Sequence, residues 1–429
     1  MKTKNQSKPG FKHTLLGWIP EDWKVKKVSE VCDFIVPDRN KPELTDNGIP
    51  WITTPDIVNG GDISFSKSNL FVHKEYAKKY NLKIVPTNSL IMTCVGDLGI
   101  VALTKAEIII NQQLHAFIPS KLIDSQFLLN ALKIQKKYFE KVATKTAVPY
   151  LNKDNCNSTL IPLPPLPEQK AIAQFLSTWD KAIETTQKLI AQKELRKKWL
   201  MQQLLTGRKR LKGFEGDWKV VQLKSCFEFI KSYSISRDGL SINQGQCYCI
   251  HYGDIHAFYE TEFLDFKTQS NIPRLINEKL IIQEKDYLKE GDVIMADASE
   301  DYQGVGEAIV VVNINNKIAV GGLHTIVLRD LVSITTINFR AYLFASEKVR
   351  NVLRTKATGT SVYSVTKTTL ESLMLNLPSI KEQTAIAHVL KTADNEIQLL
   401  KGKLNKLKEQ KNGLMQVLLS GQKRLNINN

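Results

Sequence analysis

The sequence is poor in the features that mark most catalytic or secreted proteins. Its six cysteines, at 32, 94, 156, 226, 247 and 249, include no C-x-x-C pair. That excludes a zinc ribbon and points to reduced thiols in a cytoplasm. No apolar run approaches the ~20 residues a membrane helix needs. The basic opening, MKTKNQSKPGFKHT, has no apolar core behind it, so neither an anchor nor a secretory signal is expected. There is no G-x-x-x-x-G-K-[ST] phosphate loop, and Gly304-Val305-Gly306 lacks the third glycine of a dinucleotide turn. The double proline of LPPLP lacks the polar and aromatic residues that an adenine methyltransferase needs around a flipped base. No serine or cysteine stands in a G-x-S-x-G elbow. His73, His115, His251, His256 and His324 are scattered without metal-ligand spacing. Asp22-Trp23-Lys24 and Asp217-Trp218-Lys219 share letters with a nuclease D-x-K but have no upstream P-D, and read as a repeated structural corner. No catalytic residue, metal site or cofactor is expected.

What is present is length, positive charge and repetition. The 429 residues are two to three times the usual length of one domain. A chain 42% hydrophobic and 24% charged is ordinary for a globular protein. Fifty-nine Lys and Arg against 43 Asp and Glu give a net charge of +16, which attracts polyanions, nucleic acid first among them.

The chain is written twice. Residues 164–211 and 378–425 align without a gap at an offset of 214, and twenty of the 48 pairs are identical. The identities cluster in P-x-x-x-E-Q-x-A-I-A, L-M-Q-x-L-L and G-x-K-R-L. At the same offset ATKTAVPYLNKD at 143–154 matches ATGTSVYSVTKT at 357–368. Upstream the offset drifts: LHAF at 114–117 is matched to LHTI at 323–326, SLIMTCVGD at 89–97 to DVIMADASE at 292–300, and DWKV at 22–25 to DWKV at 217–220. Each half reads as a variable globular block followed by one long helix. The expected division is a first block at 1–163, a helix at 164–211, a second block at 212–377 and a helix at 378–429.

The helices carry a heptad seam. Ile386, Leu390, Ala393, Ile397, Leu400, Leu404, Leu407, Lys411, Leu414 and Leu418 step by alternating four and three. Ile172, Leu176, Trp179, Ile183, Thr186, Ile190, Lys193, Lys197, Leu200 and Leu204 hold the same places in the first copy. Pro167, Glu168 and Gln169 suit a first turn, and Gly207 and Gly421 suit C-terminal stops. A seam this long needs a helical partner, and the nearest is the other copy. The blocks read as α/β: SLIMTCV, AEIIIN, DVIMA and EAIVVVN as strands, with helices over 124–141 and 338–354.

The ending P-L-P-x-x-x-Q-x-x-I-A-x-x-L at 162–176, its echo at 377–390 and the L-L-x-G-x-K-R-L closures resemble the specificity subunit of type I restriction–modification systems. IPWITTPDI at 49–57 and LKEGDVIMA at 288–296 resemble core segments of that family's target-recognition domains. The resemblance implies two α/β recognition domains alternating with two helices that form an antiparallel coiled coil of pseudo-twofold symmetry. Each domain would read one half of a bipartite double-stranded DNA target through the major groove. The helices would dock two modification subunits, and restriction subunits would complete the complex. S-adenosylmethionine, ATP and magnesium would belong to those partners, leaving this chain a non-catalytic reader. Half-sites about one turn, ~34 Å, apart suit helices of ~40 residues, about 60 Å long. On that reading, four residues inserted near Gln192 would lengthen the unread gap. In a fully overlapped antiparallel pair Lys411 would face Trp179, with its ammonium over the indole, and Lys197 would face Ala393.

Base readers are polar side chains on loops, so corresponding loops supply the candidates. In the first block these are Thr53, Thr54, Thr93, Gln112, Gln113, Lys145 and Tyr150, with Asp56 and Asp97 beside them. In the second they are His251, Tyr252, Ser299, Gln303, Arg329, Thr358, Thr360 and Tyr363, with Asp254 and Asp301 beside them. Asp56 and Asp254 repel phosphate and are expected to cap turns. The runs Arg196-Lys197-Lys198 and Arg208-Lys209-Arg210 face phosphate, an acidic partner or solvent; phosphate contacts would each contribute about one unit of salt slope. Two other readings stand beside the leading one: a recognition subunit of a related system that methylates or excludes phage without cleavage, and a coiled-coil scaffold that binds proteins.

Overall fold

The computed structural model describes residues 8–37, 41–259, 261–276, 282–359 and 362–426. The chain divides into two compact units, residues 1–187 with 402–429, and residues 188–401. Each unit holds one globular block, the first half of one long helix and the last half of the other.

In the first unit a five-stranded sheet runs in the order Cys32–Ile35, Leu114–Pro119, Leu90–Thr93, Val101–Thr104, Asp62–Ile63. All neighbours are antiparallel except the last pair. The two central strands Leu90–Thr93 and Val101–Thr104 are buried at every residue, as a sheet covered on both faces requires. A smaller sheet places Ile49–Ile52 between Ile109–Ile110 and Phe71–Val72. Lys24–Lys27 pairs with Leu160–Leu163 where the chain enters and leaves the block.

The second unit repeats this plan. Its five strands are Phe227–Ile230, Thr325–Asp330, Val293–Ala296, Ala308–Val312 and Phe263–Asp265, again with only the last pair parallel. Tyr248–Ile250 lies beside Ala319–Gly321 and Arg274–Leu275, and Lys219–Gln222 pairs with Met374–Leu377. The expected single helices are each two: Ser125–Lys133 and Lys136–Val142 in one unit, Ile337–Ala345 and Glu347–Lys356 in the other. Ser346 explains the second break, since its hydroxyl caps the new helix at Val349 N.

The matched letters LHAF and LHTI are not matched positions. Leu114 pairs with Thr93, whereas Thr325 pairs with Ala296, the residue after the equivalent methionine. Sheet register therefore sets Leu114 against Thr325, and Gln113 against His324.

The long helices span Leu166–Leu204 and Ile380–Leu419. In the first unit Ile172 and Leu176 share one core with Met415, Leu418 and Leu419. In the second, Leu204 and Leu205 share one with Ile386 and Leu390. Within each unit the start of one helix thus packs on the end of the other, which is antiparallel pairing. Ile190 and Ile397 are buried, and Trp179, Ile183, Leu200, Leu400, Leu404, Leu407 and Leu414 are half-buried. Gly207 and Gly421 take positive φ (72° and 68°) and let Lys209 N and Lys423 N reach back to the carbonyls of Gln203 and Val417.

The E-Q and K-R repeats join the helix ends. Arg424 holds Glu168 through Nε (2.9 Å) and Nη2 (2.6 Å), and Asp22 through Nη1 (3.0 Å) and Nη2 (2.9 Å). Arg210 holds Glu382 at 2.6 and 2.8 Å. These forked pairs need guanidinium geometry. Trp23 Nε1 donates to Glu168 (3.0 Å) from a fully buried ring, so the D-W-K letters form a corner. Gln169 and Gln383 tie their helices to Pro164 O and Pro378 O and accept from Asp124 N and Thr336 N.

The two seam lysines are bonded one residue away from their expected neighbours. Lys411 is bonded to Asp180, not stacked on Trp179, and Lys197 is bonded to Asp394 (2.6 Å) rather than crossing Ala393. The antiparallel register holds, but carboxylates one position along capture the ammonium groups, because a buried cation gains more from an anion than from a ring.

Candidate nucleic-acid interface

The loops leaving the central strands of each block form a continuous rim, built from local turns that the sequence specifies. In the first unit Thr53 starts a short 3-10 turn, Thr54–Asp56. Asp56 accepts from Thr53 N (2.7 Å), Thr53 Oγ1 (2.8 Å) and Lys67 N (2.7 Å), so it caps, as expected of it. Next to this turn Gln113 Oε1 accepts from Thr54 Oγ1 (2.9 Å) and Asn111 Nδ2 (3.4 Å). Gln113 O in turn accepts from Cys94 N (2.8 Å), and Gly96 N donates to Pro149 O (3.0 Å). Val95 bridges to Tyr150, and Thr144 N donates to Tyr150 O, closing the 143–150 loop. Thr54, Gln113 and Tyr150 therefore belong to one rim, with Gln112 and Lys145 exposed on its loops.

The second unit builds the same rim from other side chains. His251 begins the helix Tyr252–Ala257, accepting from Gly253 N through Nδ1 (3.1 Å). Burial and the nearby Arg237 hold its imidazole below the ordinary range. Asp254 caps this turn and is paired with Arg237 at 2.7 Å. Tyr252 has its ring among three histidines, His251 at 4.7 Å, His324 at 5.3 Å and His256 at 6.1 Å. Three of the five histidines that look scattered in sequence are thus gathered here. Among the described residues no group of His, Cys, Asp and Glu could hold a metal ion. His256 is bonded to Glu307 (2.6 Å), which pushes its imidazole above the usual range. His324 Nδ1 lies 3.1 Å from Asp297 Oδ1. Thr358 N donates to Ser364 O, as Thr144 N does to Tyr150 O, and the Tyr302 and Tyr363 rings meet at 5.5 Å.

Four of the candidates have their side chains engaged within their own unit. Thr93 is fully buried, its hydroxyl donating to Asp97 O (2.6 Å) and accepting from Ile100 N (3.0 Å). Ser299 is buried and caps Asp301 N. His251 is buried as a helix cap. Arg329 lies five residues beyond the rim residue His324, spent on Asp292 (2.7 and 2.9 Å) and Tyr287 O (2.6 Å). Each is a polar residue that the backbone or a buried carboxylate consumes. Thr53 is half-buried with its hydroxyl on Asp56. Gln303 is exposed, its carbonyl accepting from Arg350 and from Arg354 (3.0 Å). Thr360 lies outside the described residues. Asp97 is paired with Lys136 at 3.0 Å, and Asp301 accepts from Gly304 N at 2.6 Å.

The basic runs on the first helix are partly spent inside the protein. Lys197 binds Glu262 and Asp394, Arg210 binds Glu382, and Lys209 sits over the Trp199 ring at 5.4 Å. Sequence reading missed Asn111 and His324, both of which stand on the rim. For His324 the structure shows a left-handed backbone, φ 54°, that histidine tolerates better than most residues.

Residues 20–194 and 215–409 match the model of the type I restriction modification DNA specificity domain, once in each half. The chain is 26% identical, over 95% of its own length and 94% of the relative's, to the type I restriction enzyme MjaVIII specificity subunit of Methanocaldococcus jannaschii. Its fold is shared with a solved chain reported under "Structural basis underlying complex assembly and conformational transition of the type I R-M system". There the TM-score is 0.62 at 14% identity, over 94% of this chain and 99% of that one. A type I restriction–modification S subunit from M. genitalium aligns over 92% of this chain and 96% of its own, with a TM-score of 0.52 at 13% identity.

Proposed function

The chain belongs to the type I restriction modification DNA specificity family, and from that premise we propose that each unit reads one half of a two-part DNA sequence through its rim. The observation that carries the reading is the repeated scaffold with unlike side chains. The main backbone bonds of the two rims recur, Cys94 N to Gln113 O as Asp297 N to His324 O and Leu151 N to Cys94 O as Val365 N to Asp297 O, while Thr54, Asn111 and Gln113 in one become Tyr252, Gly322 and His324 in the other. A protein that binds two unlike half-sites needs this combination: equal scaffolds to reach the groove, and different donors and acceptors to read it.

Recognition is this chain's contribution, and the chemistry belongs to partners. The paired helices dock two modification subunits that methylate adenine with S-adenosylmethionine, and restriction subunits that use ATP and magnesium complete the assembly. A net charge of +16 supplies the sequence-independent attraction to phosphate that holds the reader on DNA. The test is long-read methylation mapping in a host without adenine methylation, with this chain expressed beside its modification subunit. A new methylated motif in two parts with a fixed gap is expected. Absence of any motif from a soluble, assembled pair that also binds no specific DNA would favour a protein-binding scaffold and overturn the reading.

A further inference from the structure

Register places Gln113 and His324 at the same seat of the two rims. The residues two earlier, Asn111 and Gly322, donate N–H to Ile52 O (3.0 Å) and Ile250 O (2.8 Å). The carbonyls of Gln113 and His324 accept from Cys94 N (2.8 Å) and Asp297 N (3.1 Å). The neighbour across the seat is Thr54 in one unit and Tyr252 in the other. Both seats are exposed, yet each side chain is held in place by its own unit.

The two holding arrangements leave opposite chemistry. Gln113 Oε1 accepts twice, from Thr54 Oγ1 and Asn111 Nδ2, which uses both lone pairs. Its amide nitrogen, with two hydrogens, remains to read with. His324 Nδ1 faces the Asp297 carboxylate and so carries the ring hydrogen. In the neutral ring Nε2 is then an acceptor. The Tyr252 ring stands edge-on to the imidazole at 83° and limits its rotation.

We propose that Gln113 and His324 are the specificity-determining residues of this equivalent seat, Gln113 donating to the acceptor edge of guanine and His324 accepting from the exocyclic amine of adenine or cytosine. The assignment rests on the recognition reading above and adds to it which residue reads which kind of base edge. In the major groove guanine presents only acceptors, O6 and N7, whereas adenine and cytosine present amine donors. An unheld glutamine would match adenine through oxygen and nitrogen together. A glutamine whose oxygen is already occupied does not.

The experiment uses the full chain with its modification subunit. Methylated motifs are mapped for the wild type, Gln113→Ala, Gln113→Glu, His324→Ala and His324→Leu. Competition binding then compares duplexes carrying each base pair at the affected position. Gln113→Glu keeps acceptors for Thr54 and Asn111 but removes the donor, so it carries the test even if Gln113→Ala unfolds. Its preference should move from guanine to cytosine at one position of one half-site, with discrimination changed by at most about 150-fold, the upper limit for a bidentate base contact. The His324 variants should relax one position of the other half-site, and the base lost there tells adenine from cytosine. Unchanged motifs in variants that still methylate would overturn the assignment and leave the recognition reading standing. Loss of all methylation by a variant that melts with the wild type and binds its partner would also overturn it, because a base reader alters one position. A wild-type complex with no two-part motif would overturn the recognition reading, and this assignment with it.

Discussion

Lys411 of the second long helix is bonded to Asp180 of the first, and the same pair recurs 214 residues away as Lys197 and Asp394. The two copies differ in what surrounds them. Lys197 has a second carboxylate, Glu262, at 2.6 Å. The backbone seat of Glu262, whose carbonyl accepts from Val310 N, is occupied in the first unit by Gly61, whose carbonyl accepts from Leu103 N. In place of a second acid the first unit brings up Lys133, whose ammonium is pushed down to about 8 by burial and by Lys411.

This asymmetry sets an order of stability. Asp180→Asn leaves a buried Lys411 beside another lysine, whereas Asp394→Asn leaves Lys197 with Glu262. Asp180→Asn is expected to cost about 1–2 kcal/mol more, below the full penalty of a broken buried pair because Asp180 itself is half exposed. Calorimetric unfolding of the two variants side by side measures the difference; equal midpoints would show that Glu262 does not compensate.

The helix-end clasps are unequal in a second way. Glu168 accepts from both Arg424 and the buried Trp23 indole, while Trp218 Nε1 finds no partner among the described residues. Glu168→Ala should therefore destabilise by about 2–3 kcal/mol and exceed Glu382→Ala, since it also orphans a buried N–H. Arg424→Lys should recover little of an Arg424→Ala loss, because an ammonium cannot serve Glu168 and Asp22 in forked fashion. Thermal melts of the four variants decide both orderings.

Acid should weaken the first unit through His115. Its ring is buried against Asn157 (3.0 Å), and burial pushes it down to about 4. The unfolded imidazole takes its proton near 6.5. Between those values the unfolded chain binds the extra proton, so stability is complete above about pH 6.5 and falls toward pH 4, by about 3 kcal/mol at most. His115→Gln should flatten the unfolding free energy across that window; an unchanged slope would assign the acid loss to other groups.

The repeat, the helices and their antiparallel partners were legible in the sequence because heptad spacing and a gapless offset report backbone geometry directly. The caps were legible for the same local reason, as Asp56 and Asp254 show. The rim was legible only in part. Letter matching paired His115 with His324, but the sheet sets His324 against Gln113, because insertions in the blocks shift register without leaving a local mark. Thr93 and Arg329 look like readers in a string of letters. Only tertiary packing reveals that a turn and a buried Asp292 consume them. Asp180 escaped notice because an exposed acid one step off the seam carries no periodic signal.

The most direct test of the central claim is an exchange of residues 215–375 for the matching segment of another family member, followed by methylation mapping of the assembled complex. The account predicts that one half of the methylated motif changes while the other half and the gap between them stay as they were. A motif altered in both halves, or in neither, would contradict the claim that each unit reads its own half-site.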